Sequence, residues 1–199
     1  MRNGESGVVG NGKVMAERRQ VDRIESIVLD GPISLIFNHG GSQFVRVTAD
    51  ENILSLIKTR ESGSTLHVEC SGNFKTENEV LVEVEMPSLS NLVARGSGNV
   101  EIEKLEQPSL SVDLSGPGII KITGNVDHFT AALNGSGDIK AISLEAKSVA
   151  LSLNGSGDIS AHASESVKAR LNGSGDIKVF GQPIKQDCVA NGSGDIRVK

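Results

Sequence analysis

Four aspartates recur at one position of a repeated hexapeptide, and their type and spacing come closer to chemistry than anything else in this sequence. Asp138, Asp158, Asp176 and Asp195 each follow Asn-Gly-Ser-Gly and precede Ile. If the repeats stack, the four carboxylates fall in one column, and clustered carboxylate and carbonyl oxygens are what Ca²⁺ prefers. Without a cation the same column sets like charges about 5 Å apart, which repel unless something relieves them. The simpler reading is turn chemistry, in which an aspartate after a glycine bonds nearby backbone amides. The turn reading is favoured over the calcium ladder, and no other cofactor is expected.

Asn134, Asn154, Asn172 and Asn191 open the same hexapeptides and form a second column. Stacked carboxamides bond to one another along the stacking axis, so a structural ladder is expected. Each also matches the Asn-x-Ser glycosylation acceptor, a match that the Gly-Ser-Gly turn creates by itself. The paired glycines, Gly135 and Gly137, Gly155 and Gly157, Gly173 and Gly175, Gly192 and Gly194, read as turn formers that hold positive φ. A phosphate-cradling reading fails, because a following Lys and helix are missing and no βαβ unit precedes.

Other chemistry finds little support. His39, His67, His128 and His162 are widely separated and suggest no metal pair. Serine is abundant but belongs to turns, so no nucleophilic triad can be argued. A glycan-cleaving enzyme needs paired, non-repeating carboxylates and stacking aromatics, whereas the chain has five Phe and neither Trp nor Tyr. Glu83 and Glu85 share one strand face and read as solvent-exposed. Cys70 ends a strand candidate, and Cys188 aligns with Leu151 in the repeat, so it should point inward as a small apolar filler. No catalytic residue is expected.

The elements that would position these columns follow from the repeat. The hexapeptide recurs unchanged at 134–139, 154–159, 172–177 and 191–196, with degenerate copies at 95–100 and 115–120. The first glycines fall at 96, 116, 135, 155, 173 and 192, a period of 18 to 20 residues. Around each turn apolar residues alternate with polar ones: Val149, Leu151 and Leu153 before it, Ile159 and Ala161 after it. Period-2 patterning means half-buried strands. A unit of about 19 residues holds two or three short strands and cannot bury its own face, but stacking equivalent units solves this. An antiparallel sandwich would not return one turn sequence at a fixed interval. The fold class expected is all-β, a parallel β-helix over 94–199.

The first half is β-rich without an obvious period. Strands are predicted over 24–29, 33–37, 44–49, 65–70 and 80–86, separated by Asp30-Gly31-Pro32, His39-Gly40-Gly41 and Ser62-Gly63-Ser64. A short helix is predicted over 50–58 with Asp50 as its N-cap and Ile53, Leu54 and Ile57 on one face. Three regions result: a flexible segment 1–19, a β-rich region 20–93 that packs on or caps the solenoid, and the repeats 94–199. Residues 20–199 can equally form one continuous domain.

Composition narrows the partners. A net charge of −5 leaves no basic stripe for a phosphate backbone, so nucleic acid is not expected. Two cysteines cannot build a disulfide framework. No run of about 18 apolar residues occurs, so no transmembrane helix is expected. Residues 1–13 are polar and Gly-rich and lack an apolar signal core.

With these residues the chain resembles the bacterial head GIN domain family, described as autotransporter adhesins, a description that is itself a prediction. The resemblance rests on Asp30-Gly31-Pro32, Ala49-Asp50-Glu51-Asn52, Met86-Pro87-Ser88-Leu89 and, most specifically, the Gly-Ser-Gly-Asp-Ile turns. It implies a β-helical protein exported by Gram-negative bacteria, and it carries no catalytic residues across. The function expected is a non-enzymatic surface or periplasmic binding module with an unknown extracellular ligand. The alternative is a scaffold that self-associates through stacked solenoid ends. An extracytoplasmic location is expected, its signal lying outside this sequence, and a cytoplasmic one is the alternative.

Overall fold

A computed structural model describes residues 7–199 of the 199-residue chain. About 69% of the described residues are strand, wound into stacked parallel coils of about 20 residues: a β-solenoid. The strands of the first half are β1 (Val8–Val9), β2 (Val14–Arg19), β3 (Ser26–Asp30), β4 (Ser34–His39), β5 (Phe44–Asp50), β6 (Ile57–Ser62), β7 (Thr65–Cys70), β8 (Phe74–Lys75), β9 (Leu81–Met86) and β10 (Asn91–Arg95). Those of the second half are β11 (Val100–Ser115), β12 (Ile119–Gly135), β13 (Asp138–Gly155), β14 (Asp158–Gly173), β15 (Ile177–Phe180), β16 (Lys185–Gly192) and β17 (Ile196–Val198).

Two ladders run the length of the stack. In the first, β7, β3, β10, the ends of β11 to β14 and finally β16 lie side by side, all parallel. In the second, β9, β4, the starts of β11 to β14, β15 and β17 do the same. Because register is in step, inward side chains form continuous rows, such as Leu66–Ile27–Leu92–Val112–Ala131–Leu151–Ala169 and Val82–Leu35–Val100–Ile120–Ile139–Ile159–Ile177. All of these are buried and belong to one hydrophobic cluster running from Ile24 to Val179. At the later coils of the first row Ala131 and Ala169 flank Leu151, which lets the larger side chain fill a narrow interior. Each buried Leu or Ile contributes about 1.5–3 kcal/mol over its exposed state.

The turn explains why both glycines return in all six copies of the hexapeptide. Positive φ, predicted for both glycines of each turn, is found only at the first. Gly135, Gly155, Gly173 and Gly192 adopt it, and Gly137, Gly157, Gly175 and Gly194 do not. Gly155, for example, has φ of 141°, a conformation L side chains rarely adopt. The second glycine is required by the close approach of the preceding coil alone, a crowding that Gly155, Gly173 and Gly192 share. A Cβ at Gly157 would strike the carbonyl oxygen of Gly137, one at Gly175 that of Gly157, and one at Gly194 that of Gly175.

Apart from this turn the coils are nearly all strand. The repeat suggested two or three short strands per unit, but β11 to β14 carry the ladder around the corners, with register shifts such as that between Lys121 and Gly124. The parallel pairing of successive coils satisfies the backbone even where the chain bends.

The N-terminal part differs in topology. The coil formed by β3 and β4 is flanked on one side by β10 and β11 and on the other by the later strands β7 and β9. Antiparallel strands then close that end: β6 pairs with β7, β5 with β9, and β2 with β5. The five predicted first-half strands coincide with β3, β4, β5, β7 and β9 to within two residues at each end.

The helix predicted over 50–58 is absent. One 3₁₀ turn, Leu54–Leu56, links β5 to β6, closed by Leu56 N–H donating to the Ile53 carbonyl. A helix this short has too few bonds to offset nucleation, and burial of Ile53, Leu54 and Ile57 needs only a turn. Of the polar lead-in 1–19, residues 14–19 form β2, and residues 1–6 lie outside the described ones.

Candidate functional site

Asp138, Asp158, Asp176 and Asp195 do stack in one column, and their bonds show what occupies each carboxylate. Backbone N–H groups of the next coil donate to them: Asp158 N to Asp138 Oδ1 at 3.2 Å, Asp176 N to Asp158 Oδ1 at 2.8 Å and Asp195 N to Asp176 Oδ1 at 3.1 Å. Basic residues two positions along the strand answer the charge. Lys178 Nζ lies 3.9 Å from Asp158 and 3.5 Å from Asp176, Lys140 lies 3.6 Å from Asp138, and Arg197 lies 2.7 Å from Asp195. Amide donors and interleaved cations thus relieve the repulsion that a bare column would suffer. Among the described residues no group of three or more His, Cys, Asp or Glu is placed to hold a metal ion.

The asparagines form a continuous amide ladder. Asn154 Nδ2 donates to Asn134 Oδ1 at 3.1 Å, Asn172 to Asn154 at 3.1 Å and Asn191 to Asn172 at 3.2 Å. Asn191 Oδ1, at the last coil, has no donor among the described residues. These side chains hold the coils in register and leave little amide capacity for another task.

The electrostatics follow the bonds. The Asp195 N–H, aided by Lys178 and Arg197, holds the Asp176 carboxyl below the usual carboxylate range. Hydrogen bonding to Lys147, 2.6 Å away, does the same for Asp127, and Arg170 for Asp187. Glu83 is not a free surface acid: Arg46 forks onto both its oxygens at 2.6 Å.

A feature the sequence reading missed lies on a lateral face near the last coils. His128, Ser148, Ser166 and Lys185 stack in register and line one side of an open groove of about 420 Å³, with Ala150 and Lys168 opposite. Ser166 Oγ donates to Ser148 Oγ at 2.9 Å. Lys168 and Lys185 form no ion pair among the described residues, and Asp187, which also lines the groove, is paired with Arg170 at 2.7 Å. The signal was present in the sequence, since all four stacked residues stand seven positions before the first glycine of a turn. It went unread because their types differ from coil to coil.

Cys188 occupies the inward row beyond Ala169, yet it is exposed and not a buried filler. Its strand, β16, pairs only with β14 among the described residues, which leaves its other side open. Cys70 sits at the opposite end, seven inter-strand steps or roughly 34 Å away, beyond disulfide reach. Asp50, expected as a helix cap, is instead 2% exposed and accepts from Thr76 Oγ1 at 2.8 Å and Asn78 Nδ2 at 2.7 Å. It ties the 76–78 loop to the end of β5.

Comparison with known proteins agrees with this architecture. A family model described as "Putative auto-transporter adhesin, head GIN domain" matches residues 24–183. A crystal structure of a "putative adhesin" from Bacteroides fragilis is similar, with TM-score 0.77 and 24% identity, over 97% of this chain and 100% of that one. A "putative adhesin" and a "putative lipid binding protein", both from Parabacteroides distasonis, match with TM-scores 0.56 and 0.58 at 19% identity. The first match covers 96% of this chain and 100% of that one, the second 96% and 99%. At these identities the likeness is one of fold. No curated protein matches the chain in sequence.

Proposed function

This chain belongs to the family described as "Putative auto-transporter adhesin, head GIN domain", and on that premise we propose that it is a non-enzymatic binding module working outside the cytoplasm, at the cell surface or in the periplasm. The observation that carries the reading is the lateral groove, where His128, Lys168 and Lys185 surround the Ser148–Ser166 hydroxyl pair and the one acid of the lining, Asp187, is already paired with Arg170. A ligand bearing carboxylate or sulfate groups on a flexible polar backbone, such as an acidic glycan, fits this lining. Hydroxyls and ammonium groups can receive it, while neither a deep apolar cavity nor aromatic platforms favour an apolar or neutral ligand. The turn aspartates serve the fold, engaged by amides and cations, and no cofactor is required.

The test is amide chemical-shift titration of the chain with heparin and, separately, with uncharged dextran. Heparin at low salt is expected to shift Ser148, Ser166 and Lys168, with the effect lost in Lys168→Glu and weakened by salt. Equal shifts with dextran, or heparin shifts away from this face, would overturn the reading.

A further inference from the structure

The aspartate column does not run the whole stack. In the coils before Asp138 its place in the register is taken by Ile119, Asn99, Ser34 and Leu81. Where aspartates stand, amides and cations engage them. Where they are replaced, a cleft of about 270 Å³ opens on the outer face of β9, β4, β11 and β12.

Ser34 is the low point of this cleft. Alternation with Leu35 turns its side chain outward, yet it is only 7% exposed, because the small residue lies between the taller Leu81 and Asn99. Its Oγ accepts from the Asn99 N–H at 3.2 Å, and its hydroxyl proton has no acceptor among the described residues. Leu81, Ile36 and Ile119 make an apolar lining, each of them half-buried although it faces out of the solenoid. Charge stands at the rim. Glu79, Glu101 and Lys121 form no ion pair among the described residues, and Glu101 and Lys121 are neighbours in register. The wall that carries Glu79 is bonded on both sides. Before it, the buried Asp50 binds Thr76 and Asn78, and after it the Ser34 N–H donates to the Val80 carbonyl at 2.9 Å.

We propose that this cleft binds a free α-amino acid with an apolar side chain of about the size of leucine. The ammonium faces Glu79 and Glu101, the carboxylate faces Lys121, and the side chain lies on Leu81, Ile36 and Ile119. Two acids and one base around an apolar lining complement a small zwitterion with an aliphatic body. An interior peptide residue carries neither charge, and the first residue of a peptide lacks the carboxylate. The cleft is also smaller than the roughly 300–1,000 Å³ of sites for larger ligands. Because the lateral groove lies on the other ladder, the two sites stand or fall separately.

The test is methyl and amide chemical-shift titration of the whole chain with L-leucine at low salt. Saturable shifts are expected at Ile36, Leu81 and Ile119. Leucinamide lacks the carboxylate and 4-methylpentanoate lacks the ammonium, so each should bind about fivefold more weakly, and glycine should leave the methyl signals in place. Glu101→Gln should weaken leucine but not 4-methylpentanoate, and Lys121→Gln should weaken leucine but not leucinamide. Both side chains are exposed, so the thermal midpoints should match the parent. Leucinamide binding as tightly as leucine, shifts confined to other faces, or no saturation by about 50 mM leucine each overturns the proposal.

Discussion

The backbone N–H of Asp176 donates to Asp158 Oδ1 at 2.8 Å, so Asp158, like Asp138 and Asp176, reaches into the coil that follows it. This bond makes the column a register device. An asparagine at the same place keeps an accepting oxygen. Asp158→Asn is therefore expected to melt within about 1 °C of the parent, whereas Asp158→Ala should lose roughly 2–4 °C by circular dichroism. Unfolding of Asp158→Asn would mean that the charge itself is indispensable.

Calcium addition provides an independent check on the same column. With Asp138, Asp158 and Asp176 each accepting an amide and facing Lys140 or Lys178, no vacant carboxylate cluster awaits a cation. The midpoint should be equal in EDTA and in millimolar Ca²⁺. A rise of several degrees with calcium would show native-state binding by linkage and would reinstate the ladder.

Acid should destabilise the fold in a defined window. Asp127, Asp176 and Asp187 are all held below the ordinary carboxylate value, by Lys147, by the Asp195 N–H and by Arg170 respectively. The unfolded chain then binds more protons in the acid range. The stability these groups contribute is complete above the unfolded value of about 3.9 and is lost as pH falls through their lower folded values. Thermal midpoints measured from pH 7 to pH 2.5 should stay level and then drop below about pH 4. The drop should be smaller in Asp176→Asn, and equal curves for the two proteins would remove Asp176 from the account.

Both glycines of one turn are crowded by the preceding coil, the Gly135 carbonyl facing Gly155 and that of Gly137 facing Gly157, and Gly155 adds a positive φ. Gly155→Ala forces a side chain into φ of 141°. Gly157→Ala drives Cβ into the Gly137 carbonyl, which the ladder does not let move. Each should cost about 2 kcal/mol or more in urea titration, and Val at either position should cost more. Unchanged midpoints for both would contradict the stacked turn.

In the core, Leu151→Asp places a charge between Ala131 and Ala169 in a row closed to water. It should prevent folding, while Leu151→Ala should cost about 2–5 kcal/mol in the same titration. A soluble Leu151→Asp protein with parental circular dichroism would mean that the row is not packed as described.

What the residues determined by themselves is the repeating half: a turn returning every 18 to 20 positions, with alternation on both sides, leaves parallel stacking as the arrangement that buries the alternating Leu, Ile and Ala of the pattern through Ile177. First-half strands were legible for the same reason, because alternation and Gly turns are local signals. The tertiary structure alone decided how those strands pair. Alternation looks alike in parallel and antiparallel strands, so nothing local could place β3 between β7 and β10, or turn β2, β5 and β6 into an antiparallel cap. It also separated the two glycines of each turn, since the need for Gly175 and Gly194 comes from a neighbouring coil and not from their own φ. The same limit hid the burial of Asp50 and the exposure of Cys188. Asp50 is buried because Thr76 and Asn78 come to it from 26 and 28 residues away. Cys188 is open because β16 pairs on one side only among the described residues, and pairing is a property of the stack and not of the residue.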